Sequence, residues 1–219
     1  MDMNELATLM AMTLGVSWAS GINLYAAILA LGLAGATGHA ALPEELQILQ
    51  SPLVIGAAAL MYCVEFCADK IPGVDSGWDA IHTFIRLPAG ALLASGMVAE
   101  MGMAAELSAA IVGGSIAAGT HATKAGSRAL INTSPEPFSN WTASTGEDVA
   151  VFVGIWAMIN HPWFFLAFLI LFILLMIWLL PKIWRGIRMV WRKIRGKSSE
   201  PDDAAEPSGP DIAQADPVE

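Results

Sequence analysis

Between Glu65 and Arg86 the chain reads EFCADKIPGVDSGWDAIHTFIR, which places four carboxylates, a lysine, a histidine and an arginine in one short stretch. Glu65 and Asp69 are spaced i, i+4. Asp75, Asp79, His82 and Arg86 are spaced i, i+4, i+7, i+11. On helices each set shares one face. Carboxylates one turn apart can bind a cation or pass a proton, with His82 beside them, while Lys70 and Arg86 can hold an anion or balance charge. A second set follows in the other half of the chain. His121, Lys124 and Arg128 are i, i+3, i+7, Asn132 extends that face, and Glu136 lies in the loop beyond. Asn23 and Asn132 are neutral ligand candidates. An acidic stripe on one set of helices is therefore expected to face a basic stripe on another.

Apolar runs flank both sets. Of the 219 residues, 55% are hydrophobic and 14% charged, with a mean hydropathy of +0.57. Soluble domains carry about 25% charged residues. These values point to an all-α, polytopic helical membrane protein and away from a β-barrel, whose strands would alternate. An ionisable group at the centre of a bilayer costs roughly 2.5–3.5 kcal/mol on insertion scales, so a cluster of them marks a functional site or a set of buried salt bridges.

About six membrane elements are expected. Leu6–Leu33 is long enough to span and is read as kinked at Ser20-Gly21. The stretch HAALPEELQILQSP is a polar connector, with Pro43 and Pro52 as helix starts. A short helix from Pro52 to Cys67 ends at Ile71-Pro72-Gly73. The next helix, capped by Asp75 or Ser76, runs to about Ala99 through Pro88. Ala105 to about Leu130 is Gly/Ala/Ser-rich, with Ala110, Gly114 and Ala118 as a close-packing seam. Residues 132–146, NTSPEPFSNWTASTG, read as a polar loop, with Glu147 and Asp148 favouring the N-terminus of a helix that stops at His161-Pro162. Trp163–Leu180 is the cleanest span, and Pro181 ends it. Three elements on each side suggest two inverted halves, about 1–100 and 101–181.

Seven of the eleven Lys/Arg lie in KIWRGIRMVWRKIRGK, residues 182–197, which reads as a basic amphipathic helix on anionic lipid headgroups. The positive-inside rule then puts the C-terminus in the cytoplasm. Residues 198–219 are acidic and expected to be disordered. Asp2 and Glu5 stand where a signal peptide would be basic, so no cleavable leader is expected. Cys63 and Cys67 read as small buried hydrophobes rather than as a disulfide or zinc site.

Three functions fit. The first is a transporter or channel for a small ion or polar solute, in the inner membrane of a bacterium, with the charged site between the halves. The second is a Mg²⁺-dependent membrane transferase acting on a (di)phosphate lipid. Glu65-x-x-x-Asp69 and Asp75-x-x-x-Asp79 match such acid-rich motifs only in part, since the first opens with Glu and the Gly and Ala-Arg elements before the second are absent. The third is a structural membrane protein. Gly-x-Ser-x-Gly, P-loop and His-Glu-x-x-His motifs are absent, so an enzyme is the less favoured class. No nucleic-acid role is expected, a homo-oligomer is left open, and no cofactor is specified by the residues. The phrases SGINLY, EFCADKIPGVDSGWDAIHTFIR and HATKAGSRALINTSPEPFSN resemble those of a bacterial membrane-protein family known only as a domain of unknown function, over about residues 5–180. That resemblance implies a membrane location and the same two site segments; it implies no activity.

Overall fold

The computed structural model describes residues 1–71, 73–133 and 137–197, the last of these with side chains from 138 to 192. Helices account for all the regular structure among the described residues. In order they are α1 (Met3–Ile22), α2 (Leu24–Ala36), a 3₁₀ helix (Glu44–Gln50), α3 (Pro52–Ala68), α4 (Val74–Met97), a 3₁₀ turn (Ala99–Met101), α5 (Met103–Ile131), α6 (Pro137–Asn160) and α7 (Pro162–Lys197). Pro72, Glu136 and the tail at 198–219 lie outside the described residues, and with them the expected proline break, the loop acid and the disordered tail.

The helix α1 is the hub, packing against α2, α4, α5, α6 and α7. Its Trp18 is 1% exposed and meets Phe165, Phe168 and Phe172 of α7 edge-on, at centroid distances of 5.5–6.0 Å. A Cβ on Gly154 of α6 would stand 2.3 Å from the Trp18 ring, so glycine is what lets α6 lie against the indole. On its other side α1 meets α4 and α5 through small residues. A Cβ on Gly90 of α4 would meet Ser20 Oγ at 2.7 Å, and one on Gly113 of α5 would meet Ser17 Oγ at 2.5 Å.

The seam on α5 is therefore one position away from the expected Ala110, Gly114 and Ala118. Gly113 and Ala117 are buried, whereas Gly114 is half-buried, a Cβ there meeting Ala91 Cβ at 3.3 Å and the Leu87 carbonyl at 3.9 Å. The reason is registry with the charges. Gly113 and Ala117 continue into the face of His121, Lys124 and Arg128, and one helix face must serve both.

Four other expectations are corrected. The 6–33 span breaks at Asn23, not at Ser20-Gly21. Asn23 is extended (φ −146°, ψ 100°) and caps α2 by accepting the Ala26 N–H at 2.9 Å, a role its short amide suits. Residues 137–146 are helix, not loop: Pro137 opens α6, and Asn140 and Ser144 of this stretch lie on its buried face. Pro181 lies inside α7, where continuous helix on both sides outweighs the roughly 3 kcal/mol a proline costs. The basic segment forms the last turns of that same helix. Cys63 and Cys67 are exposed on α3, because the buried face of that helix is taken by Glu65, Ala68 and Ala58.

Among the described residues, two helices, α5 and Pro162–Arg192 of α7, are long and apolar enough to cross a membrane; the Glu44–Gln50 and Pro52–Ala68 pair, bent by 65°, makes a third if it is one span. The distribution of polarity points the same way. On α4 the buried residues include Asp75, Asp79, His82 and Arg86, while Ile81, Phe84, Ile85 and Leu92 face outward, Phe84 at 83% exposure. Water-soluble helices do the reverse. Such an outer surface suits hydrocarbon.

Candidate functional site

The charged core lies where α3, α4, α5 and α6 meet the break between α1 and α2. Each side chain is delivered by helical spacing. Glu65 and Asp69 come from the end of α3, Asp79, His82 and Arg86 from one face of α4, and His121, Lys124 and Arg128 from one face of α5. Glu65 and Arg86 have side chains 0% exposed. Asp69, Asp79, Lys124 and Arg128 are nearly as closed, so the site is occluded.

Lys124 is the centre. Its ammonium donates to Asp69 at 2.8 Å, to Glu65 at 3.4 Å and to the Ile22 carbonyl at 3.1 Å. Those three acceptors use its three N–H groups. Asp79 at 3.8 Å and Glu147 at 3.6 Å complete the shell. The Ile22 carbonyl is free for this because α1 stops there, and a cation at a helix C-terminus is favoured by the dipole.

Arg86 pairs with Glu65 and donates to Asp79 at 3.1 Å. It also donates to His121 Nδ1 at 3.1 Å, which makes Nδ1 the acceptor nitrogen of that ring. His121 Nε2 then carries the hydrogen and donates to Thr83 Oγ1 at 2.7 Å, and Thr83 passes its own hydrogen to the Asp79 carbonyl. Arg128 takes Glu147 in a bidentate pair, at 3.2 and 2.7 Å. It also donates to the Asp69 carbonyl, at 3.2 Å, and to the carbonyl and side chain of Asn140.

The other candidates sit around this core. His82 is stacked on Trp78, uses Nδ1 for the Trp78 carbonyl and receives the Tyr25 hydroxyl at Nε2, 3.1 Å away; among the described residues it hydrogen-bonds no carboxylate. Asp75 accepts Asn132 Nδ2 at 2.8 Å on both oxygens, and the N–H groups of Gly73 and Ser76. It tethers α4 to the end of α5 and stands apart from Lys124. The Gly73 conformation, φ +88°, is what turns the chain into this arrangement. Lys70 lies at the rim, over the Phe66 ring and near Ser144 Oγ at 3.5 Å. Asn23 donates to Asp148 at 3.1 Å.

Residues 10–182 match the family described as Domain of unknown function (DUF4126). The chain belongs to the DUF4126 family. No curated protein and no solved structure matches it. In this DUF4126 member the sequence reading missed one whole wall of the site, that of α6. Asn140, Ser144, Glu147 and Asp148 form it. Their spacing, i, i+4, i+7 and i+8, is one helix face, a signal hidden by treating 132–146 as a loop.

Among the described residues the charges do not cancel one-to-one. Glu65, Asp69, Asp79 and Glu147 share three cations, Arg86, Lys124 and Arg128, while Asp75 and Asp148 have no ion pair. Oxygens of four of these acids, Glu65 Oε2, Asp69 Oδ1, Asp79 Oδ2 and Asp148 Oδ2, are buried without a hydrogen-bond partner. An arrangement with spare acceptors and surplus negative charge has capacity for protons, water or a cation.

Proposed function

We propose that this DUF4126 protein is an integral membrane transporter or channel for a small ion or polar solute, with the buried charge network as its translocation site. The observation that carries the reading is Lys124, one ammonium within 4 Å of four carboxylates drawn from three helices, inside an exterior of exposed Leu, Ile and Phe. A purely structural salt bridge needs one partner, and replacing such pairs by apolar residues is often neutral or stabilising. A shared, over-supplied network at the end of a broken helix instead supports binding and release.

In this reading six elements lie in the membrane, in two inverted halves, about 1–100 and 101–181. The site draws on both: Glu65, Asp69, Asp79 and Arg86 from the first, Lys124, Arg128 and Glu147 from the second. The basic turns of α7 rest on anionic headgroups at the cytoplasmic face of a bacterial inner membrane. Arg188 over the Trp184 ring is a contact suited to that interface.

The Mg²⁺-dependent transferase has less support. It needs Glu65, Asp69, Asp75 and Asp79 to converge on one ion, whereas Asp75 is engaged by Asn132 and the other three surround Lys124. Among the described residues no group of three or more His, Cys, Asp or Glu is placed to hold a metal.

The test is a panel of ions and small polar solutes assayed for flux with purified protein in liposomes, wild type against Asp79→Asn. At least one solute should cross faster than through empty vesicles, and Asp79→Asn should change that rate by about tenfold or more, the equivalent of ~1.4 kcal/mol. Rates equal to empty vesicles for every member of the panel would remove the proposal.

A further inference from the structure

Asp148 differs from the other buried acids. It is 6% exposed, yet among the described residues no lysine, arginine or histidine lies within ion-pairing distance of it. Its one hydrogen bond comes from Asn23, and its other oxygen, Oδ2, is buried and unpartnered. Asp75, which also lacks an ion pair, accepts four hydrogen bonds and is satisfied as an anion. An anionic Asp148 would be far less well served, since an unpaired buried charge is among the most expensive things a protein can hold.

The geometry points to Asp148 as a proton-binding site, with the proton on Oδ2 and the Asn23 amide as its fixed partner. Resting on the transport reading above, it assigns the proton as an ion this site exchanges. The Asn23 amide is oriented by its own backbone duty: Oδ1 accepts the Ala26 N–H, so Nδ2 must be the end that faces Asp148. Because Nδ2 donates to Oδ1, protonation of Oδ2 breaks no existing hydrogen bond. The pair sits at the break between α1 and α2, whose last carbonyl is held by Lys124. Proton occupancy is thereby tied to the joint in the central helix.

The groups that face Asp148 from its surroundings are Lys124 of α5, Asp69 and Tyr62 from α3 and its end, Lys70 just beyond, and Glu147 on its own helix. Lys124 is committed to Asp69, Glu65 and the Ile22 carbonyl. Lys70 is not: it is half-buried, on a flexible stem, held by the Phe66 carbonyl and weakly by Ser144, one turn before Asp148. Release then balances as follows. The Oδ2–H bond breaks, its electron pair stays on the carboxylate, the proton passes to a water molecule, and the Lys70 ammonium supplies the countercharge.

Infrared difference spectroscopy on the full chain in lipid vesicles, across a pH titration in H₂O and D₂O, tests this. Wild type should show the carbonyl stretch of a protonated carboxylic acid near neutral pH, shifted in D₂O and lost at alkaline pH. Asp148→Asn should remove the band. Asn23→Ala should move it to higher wavenumber, because the acid loses its donor, and this second variant decides the matter if the first does not fold. Absence of the band in wild type, its persistence in Asp148→Asn, or an unmoved band in Asn23→Ala would each overturn the assignment. A present band with no flux of any solute counts against transport alone; solute flux without the band counts against the proton site alone.

Discussion

Replacing Lys124 by methionine tests the network's energetics directly. The substitution keeps the length of the side chain and removes the ammonium that satisfies Asp69 at 2.8 Å, Glu65 at 3.4 Å and the Ile22 carbonyl at 3.1 Å. Removing one partner of a buried ion pair costs about 3–5 kcal/mol, because the other charge is left without compensation. Glu65 keeps Arg86, and Asp69 keeps an Arg128 nitrogen at 3.9 Å, so the expected loss lies near the lower end, ~3 kcal/mol. Neutralising the stranded acid should recover much of it. Lys124→Met combined with Asp69→Asn should be more stable than the sum of the two single changes by about 2 kcal/mol, within the range seen for contacting residues. The assay is unfolding in mixed micelles by increasing SDS, followed by helicity, for the four members of the cycle. A Lys124→Met loss under ~1 kcal/mol, or strict additivity in the double variant, would refute the claim that these charges are buried against one another.

Two further outcomes follow from packing and exposure. Gly154→Ala should destabilise by about 1–3 kcal/mol, since the new methyl would meet the Trp18 ring, whereas Gly146→Ala, on the same helix with open space around it, should stabilise by up to ~1 kcal/mol; thermal unfolding that ranks them the other way would contradict the α1–α6 contact. Nitroxide labels on Cys63 and Cys67 in vesicles should collide more with dissolved oxygen than with a water-soluble nickel chelate, because both thiols lie on the outward face of α3; the opposite preference would place that face in water.

The sequence showed the site best where helical spacing and charge coincide. Glu65/Asp69, Asp79/Arg86 and Lys124/Arg128 could be paired across the chain because unpaired charges in apolar helices demand partners. Asp75 shares the α4 periodicity, yet it lies a turn too early and binds Asn132. His82 likewise carries the spacing but points to Tyr25 and Trp78. Spacing fixes a face, not a depth. The α6 wall is illegible for a different reason: Asn140 and Ser144 lie on the buried face, but exposed Thr142 and Thr145 and the prolines before them make the stretch imitate a loop. Asn23 stands out in the sequence as a polar residue in an apolar run, but its extended conformation does not, since the break depends on the amide reaching Ala26 and Asp148 together.

The placement of opposite charges also bears on how the chain is assembled. Helix α4 carries its own neutralising pair, Asp79 and Arg86, two turns apart and bonded to each other. Helix α5 does not: Lys124 and Arg128 have no acid beside them on their own helix, and among the described residues their partners come from α1, α3 and its end, α4 and α6. A ribosome that delivers the helices in order supplies most of those partners before α5 emerges. The first half of the polypeptide thus acts as the receptor into which α5 is received, and a circular permutant that made α5 first would have to hold two unmatched cations until the rest arrived.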